Sequence, residues 1–190
     1  MSNYLTKLQI YLFTMKFNTI ITIIALCTLT MTITAQSKTP KEYELMRNVS
    51  SVNMSSDYSA MKVKKVKIKE YVEMKLNMDF TRFCNSVESI IIDSANEELD
   101  KMGMKIVEKN DSCDIEVKLM FTDTDPDGEH NVMVKLVHKP SDTLISTFDI
   151  NSNGGNGDDF REMFMNGLLK TGKTLGKKLC KIKSTTDSTK

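Results

Sequence analysis

Residues 113–121 read Cys-Asp-Ile-Glu-Val-Lys-Leu-Met-Phe, with an apolar side chain at every second position from Ile115. Such alternation is typical of a β-strand that buries one face and exposes the other. Two similar runs follow, at 132–137 and 144–150. The segments between them contain Pro126-Asp127-Gly128 and Lys139-Pro140-Ser141-Asp142, whose residue types favour turns. The three runs therefore predict consecutive strands joined by hairpins.

A fourth strand and a helix are predicted on the N-terminal side of these runs. From Val66 to Met78 the apolar residues share one parity and polar residues take the other, which indicates a strand. Asp79 is then suited to cap a helix, and apolar residues recur at intervals of three and four from Phe80 to Met102. Gly103 favours the end of this helix, and Ile106 and Val107 indicate a short strand after it.

A second helix is predicted over residues 159–181, after the glycine-rich loop at 153–157. Acidic residues lie at its start and lysines at its end, as the helix dipole favours. Gly167, Gly172 and Gly176 each cost a helix about 1 kcal/mol relative to alanine. Such a cost predicts that the helix backbone packs closely against the sheet or against a partner.

The predicted fold class is therefore α+β, with an antiparallel sheet of about four strands and two helices packed on one face. A chain of 190 residues suits one domain, which we place at residues 61–183. Residues 36–60 are rich in serine and poor in branched apolar side chains, which predicts a flexible tether. Residues 184–190 form a polar tail.

The N-terminal part of the chain has the pattern of an export signal. Lys16 precedes an uncharged stretch from Phe17 to Ala35, and Gln36 opens a polar region. A basic start, a short apolar core and a small residue at the end are typical of a secretory signal, so residues 1–35 are predicted to be cleaved. An uncleaved anchor and lipidation at Cys27 remain alternatives, and either Met1 or Met15 can serve as the start.

Composition excludes several classes of function. Lys and Arg number 26 against 25 Asp and Glu, a balance that argues against a nucleic-acid-binding protein. Only 2 histidines are present and motifs such as Gly-x-Ser-x-Gly are absent, so no catalytic constellation is recognisable. We therefore expect a non-enzymatic protein, although a hydrolase that uses His130 or Asp127 is a third hypothesis. His130 and His138 are otherwise expected at the surface or at strand ends.

One local motif has the chemistry of a calcium site. Asp123, Asp125 and Asp127 alternate before Gly128, so their carboxylates can converge on Ca²⁺ while the glycine permits a sharp turn. The twelfth position of an EF-hand loop is here Val134 rather than glutamate. An acidic hairpin turn without metal is therefore the competing interpretation, and calcium is the only cofactor we consider. A weaker repeat of the pattern begins at Asp149.

Two further surfaces are candidates for binding. Lys170, Lys173, Lys177 and Lys181 share one side of the last predicted helix and could contact an anionic membrane or an acidic partner. The competing interpretation is an ordinary solvated helix face. Met120 and Met133 are expected to face outward on neighbouring strands, where exposed methionines would form an adaptable binding surface.

An exported chain meets an oxidising compartment, so the cysteines that remain after cleavage can form one disulfide. These are Cys84, Cys113 and Cys180, and the sequence does not separate their pairings. Three small buried thiols without any bond are the alternative.

The segment from Phe80 to Lys181 resembles a family of small exported proteins of unknown function from Gram-negative bacteria. The resemblance rests on residues 113–117, on the Gly154-Gly155 loop, and on Gly167-Leu168 and Leu175-Gly176-Lys177. The order of strands and helices is also similar to the small α+β domain of curli-secretion-type envelope lipoproteins. Leu26 before Cys27 departs from their lipidation signal. The resemblance implies compartment and fold, and no catalytic residues.

The function predicted from these observations is that of an exported, non-enzymatic envelope or secreted protein. It acts by binding another protein or by self-assembly, in the periplasm, in the outer envelope or outside the cell. A calcium-binding module that uses residues 123–128 is the alternative.

Overall fold

The computed structural model describes residues 41–108, 112–155 and 157–187, apart from the side chains of Asp123 and Asp187. The predicted signal at residues 1–35 lies outside the described residues. The strands are β1 Ser51–Asp57, β2 Lys62–Val63, β3 Val66–Lys67, β4 Lys105–Val107, β5 Ile115–Thr124, β6 His130–His138 and β7 Thr143–Ser152. The helices are α1 Ile68–Lys75, α2 Phe80–Leu99 and α3 Phe160–Asp187, with short 3-10 turns at Lys41–Met46, Asp100–Met102 and Lys139–Ser141.

The strands form one mixed sheet with β5 near its centre. On one side β5 lies antiparallel to β6, and β6 lies antiparallel to β7. On the other side β5 runs parallel to β1, which in turn runs parallel to β4. The small hairpin of β2 and β3 continues this side, because Val63 pairs with Thr124 at the end of β5.

The predicted antiparallel sheet of about four strands is therefore wrong, although the α+β class is confirmed. The three strands from residue 115 onward and their hairpins are present. The predicted short strand at Ile106 and Val107 is confirmed as β4, but its parallel pairing was not predicted. β1 was missed because it has only two apolar residues, Val52 and Met54. Both strands owe their structure to partners far away in the sequence rather than to their own pattern.

The predicted tether at residues 36–60 has to be corrected over β1. Residues 51–57 form a strand between two parallel neighbours, and Val52, Asn53 and Met54 are buried. Serine and asparagine are tolerated inside this strand because its neighbours satisfy the backbone groups on both edges.

The predicted strand at 66–78 is helical over most of its length. Only Val66 and Lys67 are extended, and α1 begins at the next residue. Ile68 and Val72 are buried, whereas Met74 is 76% exposed. Apolar residues four positions apart also share a parity, so a short helix with this spacing imitates the alternation of a strand.

The two long helices pack against each other and against one face of the sheet. Each buries an apolar stripe that joins the apolar side chains of β5 and β6 in one core. Asp79 caps α2 as predicted, because its carboxylate accepts a hydrogen bond of 2.8 Å from the amide of Arg82. Gly103 ends the following turn in the left-handed conformation, at φ +60°.

The C-terminal turns of α3 are attached to the start of the domain rather than forming a polar tail. Lys183 is 9% exposed, and its ammonium donates hydrogen bonds to the carbonyls of Val49, at 2.7 Å, and Met102, at 3.3 Å. Thr186 is fully buried, and its carbonyl accepts a hydrogen bond of 3.3 Å from Arg47. Residues 184–187 therefore belong to the folded domain.

A truncation tests this conclusion. We expect a chain that ends at Lys183 to lose about 2 kcal/mol of unfolding free energy, because it lacks buried Thr186 and the acceptor of Arg47. A chain that ends at Asp187 is the matched control and should unfold at the denaturant concentration of the full chain. Equal midpoints for the two truncated chains in urea would show that the last turn contributes nothing.

Candidate functional site

The acidic hairpin between β5 and β6 is organised by Asp125. One oxygen of its carboxylate accepts hydrogen bonds from the amides of Asp127, at 2.9 Å, and Glu129, at 3.0 Å. The turn is closed by a hydrogen bond of 2.9 Å from the amide of Asp125 to the carbonyl of Glu129. Gly128 follows with φ +77°, a conformation that favours glycine. The turn alone therefore accounts for the aspartate at position 125 and the glycine at position 128.

The structure describes the side chains of only two of the three predicted calcium ligands, Asp125 and Asp127. The side chain of Asp123 lies outside the described residues, and Asp125 is engaged with backbone amides. Among the side chains that the structure describes, no group of three or more His, Cys, Asp or Glu is placed to hold a metal ion. Calcium binding by Asp123, Asp125 and Asp127 stays a prediction.

A polar cleft of about 350 Å³ lies beside the hairpin, where β5 ends, β6 begins and β7 ends. Its position brings together the acidic hairpin and the weaker acidic pattern that begins at Asp149. The cleft is lined by Thr124, Asp125, Glu129, His130, Asn131, Asn151, Ser152 and Asn153. Oxygen atoms and amide groups dominate these side chains, so the cleft suits a small polar ligand or a cation better than an apolar one.

His130 forms the floor of this cleft at the first position of β6, so the predicted strand-end position is confirmed. Its side chain is only 2% exposed, so the alternative surface position is wrong. Its Nδ1 lies 3.0 Å from the carbonyl of Gly128, which can only accept a hydrogen bond, and this carbonyl therefore holds the proton on Nδ1. Its Nε2 lies 2.8 Å from the hydroxyl of Thr171 on α3, and Ser152 lies 2.6 Å from the same hydroxyl. The network joins β6, β7 and α3.

Burial lowers the pKa of His130, and the hydrogen bond to Gly128 offsets this effect only in part. The ring packs against Phe164, with centroids 5.0 Å apart, and near Phe121, at 5.8 Å. With a neutral ring, Nε2 accepts the Thr171 hydroxyl proton and Thr171 accepts that of Ser152. The sequence did not indicate Thr171 or Ser152, because neither belongs to a motif. His138, in contrast, ends β6 as predicted.

The glycines of α3 have an explanation inside the chain. A Cβ atom on Gly172 would lie 2.6 Å from the carbonyl oxygen of Ile91, and one on Gly176 would lie 2.6 Å from that of Ala95. Gly167 meets the ring of His130 in the same way. The predicted close approach of the backbone is confirmed, but its neighbours are α2 and β6. These glycines therefore give no support to self-assembly.

The four lysines predicted to share a face of the last helix have different environments. Lys170 donates hydrogen bonds to the carbonyls of Asn153, at 3.1 Å, and Gly154, at 3.3 Å. The ammonium of Lys173 lies 3.9 Å from the carboxylate of Glu97. A hydrogen bond from Lys101 lowers the pKa of Glu98, and the charges of Lys177 and Lys173 lower it further. Lys181 lies at the opposite side of the helix from α2, beside β7. Membrane contact through these residues stays a prediction.

The three cysteines of the described chain are free thiols. Cys113 donates a hydrogen bond of 3.4 Å to Ser51, and Cys180 donates one of 3.5 Å to the carbonyl of Glu98. Burial and the charge of Glu88 raise the pKa of Cys84 to about 11, which makes this thiol a weak nucleophile.

The face of the sheet opposite the helices carries the methionines singled out in the sequence. Met120 and Met133 are cross-strand partners and both are partly exposed. Lys118 and Lys135 form the adjacent cross-strand pair, although like charges in this position are unfavourable by a few tenths of a kcal/mol. Glu116 lies 3.5 Å from Lys118, whereas no described carboxylate lies within salt-bridge distance of Lys135. We call the surface formed by Lys118, Met120, Met133 and Lys135 the open face.

A groove of about 350 Å³ lies between β7 and α3 at the edge of the sheet. Its walls are mainly apolar and are formed by Tyr43, Ser146, Thr147, Phe148, Lys178, Lys181, Ile182 and Thr185. The ammonium of Lys178 lies 4.6 Å from the centre of the Phe148 ring and donates a hydrogen bond of 3.2 Å to the carbonyl of Asp149. No pattern in the sequence indicates this groove, because it forms only when the last helix lies along β7.

Neither a known protein family nor a curated protein matches this sequence. Solved structures are similar at low identity. They include an uncharacterised protein, which is 10% identical, covers 69% of this chain and 93% of its own, and has a TM-score of 0.42. A Xanthomonas campestris protein of the DUF330 family is 13% identical, with coverages of 74% and 87% and a TM-score of 0.43. A proposed neuraminyllactose-binding hemagglutinin homolog from Helicobacter pylori is 12% identical, with coverages of 73% and 92% and a TM-score of 0.37.

The chain is thus similar to solved structures that include an uncharacterised protein and a protein from Xanthomonas campestris. Similarity to curli-secretion-type lipoproteins and the export of the chain stay predictions. None of the helices in the described part of the chain is long and apolar enough to cross a membrane.

Proposed function

We propose that this chain is an exported, non-enzymatic protein of the periplasm, outer envelope or extracellular space, and that it works by binding a protein through the open face. The observation that carries the proposal is the pairing of Met120 with Met133 beside Lys118 and Lys135. Methionine side chains adapt to the shape of a partner. Two lysines directly opposite each other are a local cost that an acidic group on the partner would relieve.

Site-specific photocrosslinking in the native host tests the open face. We expect benzoylphenylalanine at position 120 or 133 to give one discrete adduct, whose mass separates a second copy of the chain from another protein. Position 74 is the matched control, because Met74 is also a methionine but is 76% exposed on α1. The same adducts from all three positions, or none from the open face, would contradict the proposal.

Export is tested separately by the intact mass of the protein purified from its native cells. Cleavage as predicted gives the mass of residues 36–190. A mass that retains residues 1–35 would contradict a cleaved signal and direct the search for partners to the membrane.

Calcium binding is a second candidate, favoured by one observation: the hairpin and the end of β7 meet at a cleft lined with carboxylate and amide oxygens. Thermal unfolding in millimolar Ca²⁺ and in chelator tests it. Replacement of Asp123, Asp127 and the cleft residue Glu129 by their amides should abolish a calcium-dependent rise in the unfolding temperature while Asp125 keeps the turn. No rise in the wild-type chain excludes this function.

A further inference from the structure

The second edge of β7 is a place where another strand can add. β7 has ten residues, and no strand of the described chain pairs with the edge that faces away from β6. The carbonyl of Asp149 points to this edge, since Lys178 reaches it from α3. Backbone groups alternate in direction along a strand, so those of Thr147 and Asn151 point the same way. The edge therefore presents a row of backbone donors and acceptors.

The groove beside this edge supplies pockets for side chains. Phe148 and Tyr43 are partly buried in its walls, and Ile182 is 6% exposed at its floor. Strand addition next to a helix uses such an arrangement, in which backbone pairing gives affinity and alternate side chains enter the groove. A volume of about 350 Å³ holds one or two apolar side chains of an extended peptide, and not a folded domain.

Charge defines the partner further. Lys178 and Lys181 line the groove, and Lys170 lies further along the same helix. In the described chain no carboxylate lies within salt-bridge distance of Lys178 or Lys181. Lys178 instead donates to a backbone carbonyl, which is also how natural proteins protect an edge strand from wrong pairing.

We propose that the groove between β7 and α3 binds an extended acidic segment of another protein, which pairs with the edge of β7. Its apolar side chains enter the groove beside Phe148, and its carboxylates meet Lys178 and Lys181. Lys178 leaves the carbonyl of Asp149 when the partner strand takes its place. This surface borders the open face, because Thr147 pairs with Lys135 and Asp149 pairs with Met133. No residue belongs to both surfaces, so substitutions of Lys178 and Lys181 test this proposal without altering the open face.

The probe is a random octapeptide library displayed on phage, selected against the exported chain. We expect the enriched peptides to alternate apolar with acidic residues. A synthetic copy of one of them, titrated into ¹⁵N-labelled protein, should shift the amide signals of Thr147, Asp149 and Asn151. Enriched peptides without acidic residues, or shifts confined to other parts of the chain, would overturn the proposal.

Charge variants make the test specific. Replacement of Lys178 and Lys181 by glutamate should weaken peptide binding at least tenfold, whereas K178M/K181M keeps the apolar stems and should weaken it less. K69E/K75E carries the same change of net charge on the exposed side of α1 and should bind as the wild type does. Equal losses in both glutamate variants would overturn the proposal. Two other outcomes would also overturn the proposal if the wild-type chain binds no peptide. Binding of anionic lipid vesicles that K178E/K181E abolishes would make the ligand of the groove a membrane. A dimer that K178E/K181E abolishes would make it a second copy of the chain.

Discussion

Replacement of Gly172 by leucine is expected to lower the unfolding free energy by about 3 kcal/mol, because the new side chain has no room between α3 and α2. A Cβ atom at this position would lie 2.6 Å from the carbonyl oxygen of Ile91 and 2.7 Å from the Cβ atom of Ser94. The helices would have to separate, which would also break the hydrogen bond of 2.8 Å from Ser94 to the carbonyl of Leu169. Urea denaturation followed by circular dichroism measures the loss.

The sign of this effect is informative. If a helix merely tolerates a glycine, replacing that glycine by a better helix former raises the unfolding free energy by about 1 kcal/mol. Lys173 is the next residue of the same helix and is mostly exposed, so its replacement by leucine is the control and should change stability by less than about 0.5 kcal/mol. Stabilisation by leucine at position 172 would mean that the helix contact is looser than described.

The elements that could be predicted from the sequence are those whose pattern is local. β5 and β6 alternate over seven residues, β7 alternates from Ser146 onward, and α2 has a cap, a stripe and a glycine stop. Pairing of these strands follows from short hairpin loops, so their antiparallel order is also readable from the sequence. The parallel partners β1 and β4 are joined through two helices, and nothing local in Ser51–Asp57 indicates a central strand.

The candidate sites could likewise be predicted only where their residues lie close together in the sequence. Asp125 was found because an acidic turn has a local signature, but its carboxylate supports the turn. His130 and Ser152 are cross-strand partners on β6 and β7, and Thr171 joins them only because α3 packs on the sheet. Burial of a histidine depends on what covers it, and its position beside an acidic hairpin indicated exposure instead.

The role of glycine on α3 illustrates how structure changes a functional argument. The spacing of Gly167, Gly172 and Gly176 predicted close packing but left open whether the neighbour belonged to the same chain. Because the close neighbours are Ile91, Ala95 and His130, the glycines serve the fold. The case for a binding protein therefore rests on the open face rather than on this helix.

Replacement of His130 by alanine is the second change expected to be severe, at about 3 to 4 kcal/mol. It removes a ring packed against Phe164 and leaves the carbonyl of Gly128 without its hydrogen-bond donor. The hydroxyl of Thr171 also loses Nε2 and keeps only Ser152 and the carbonyl of Gly167. Replacement by glutamine keeps a donor and an acceptor and should cost less. Urea denaturation at pH 7.5 measures both variants, and equal stability of the alanine variant and the wild type would exclude a structural role for the network.

The same residue should make the stability of the protein depend on pH. Burial lowers the pKa of His130 in the folded state, so the unfolded chain binds more protons once the pH falls below about 6.5. Unfolding free energy is therefore expected to decrease from that pH downward, by at most about 1.4 kcal/mol per pH unit, until the pH reaches the lower pKa of the folded state. Above about pH 7 both states hold a neutral ring and the contribution is constant.

Because the chain has only two histidines, the two glutamine variants assign this dependence. His130→Gln should remove the decrease between pH 6.5 and about 5.5, where unperturbed carboxylates still hold their charge. His138→Gln should retain it, because this variant keeps the buried ring of His130; His138 itself is partly exposed, with its Nδ1 2.6 Å from the hydroxyl of Ser141. If the decrease in unfolding free energy persists in His130→Gln and disappears in His138→Gln, the titrating group is His138 at the other end of β6. The buried ring could then not be held neutral by the packing described for it.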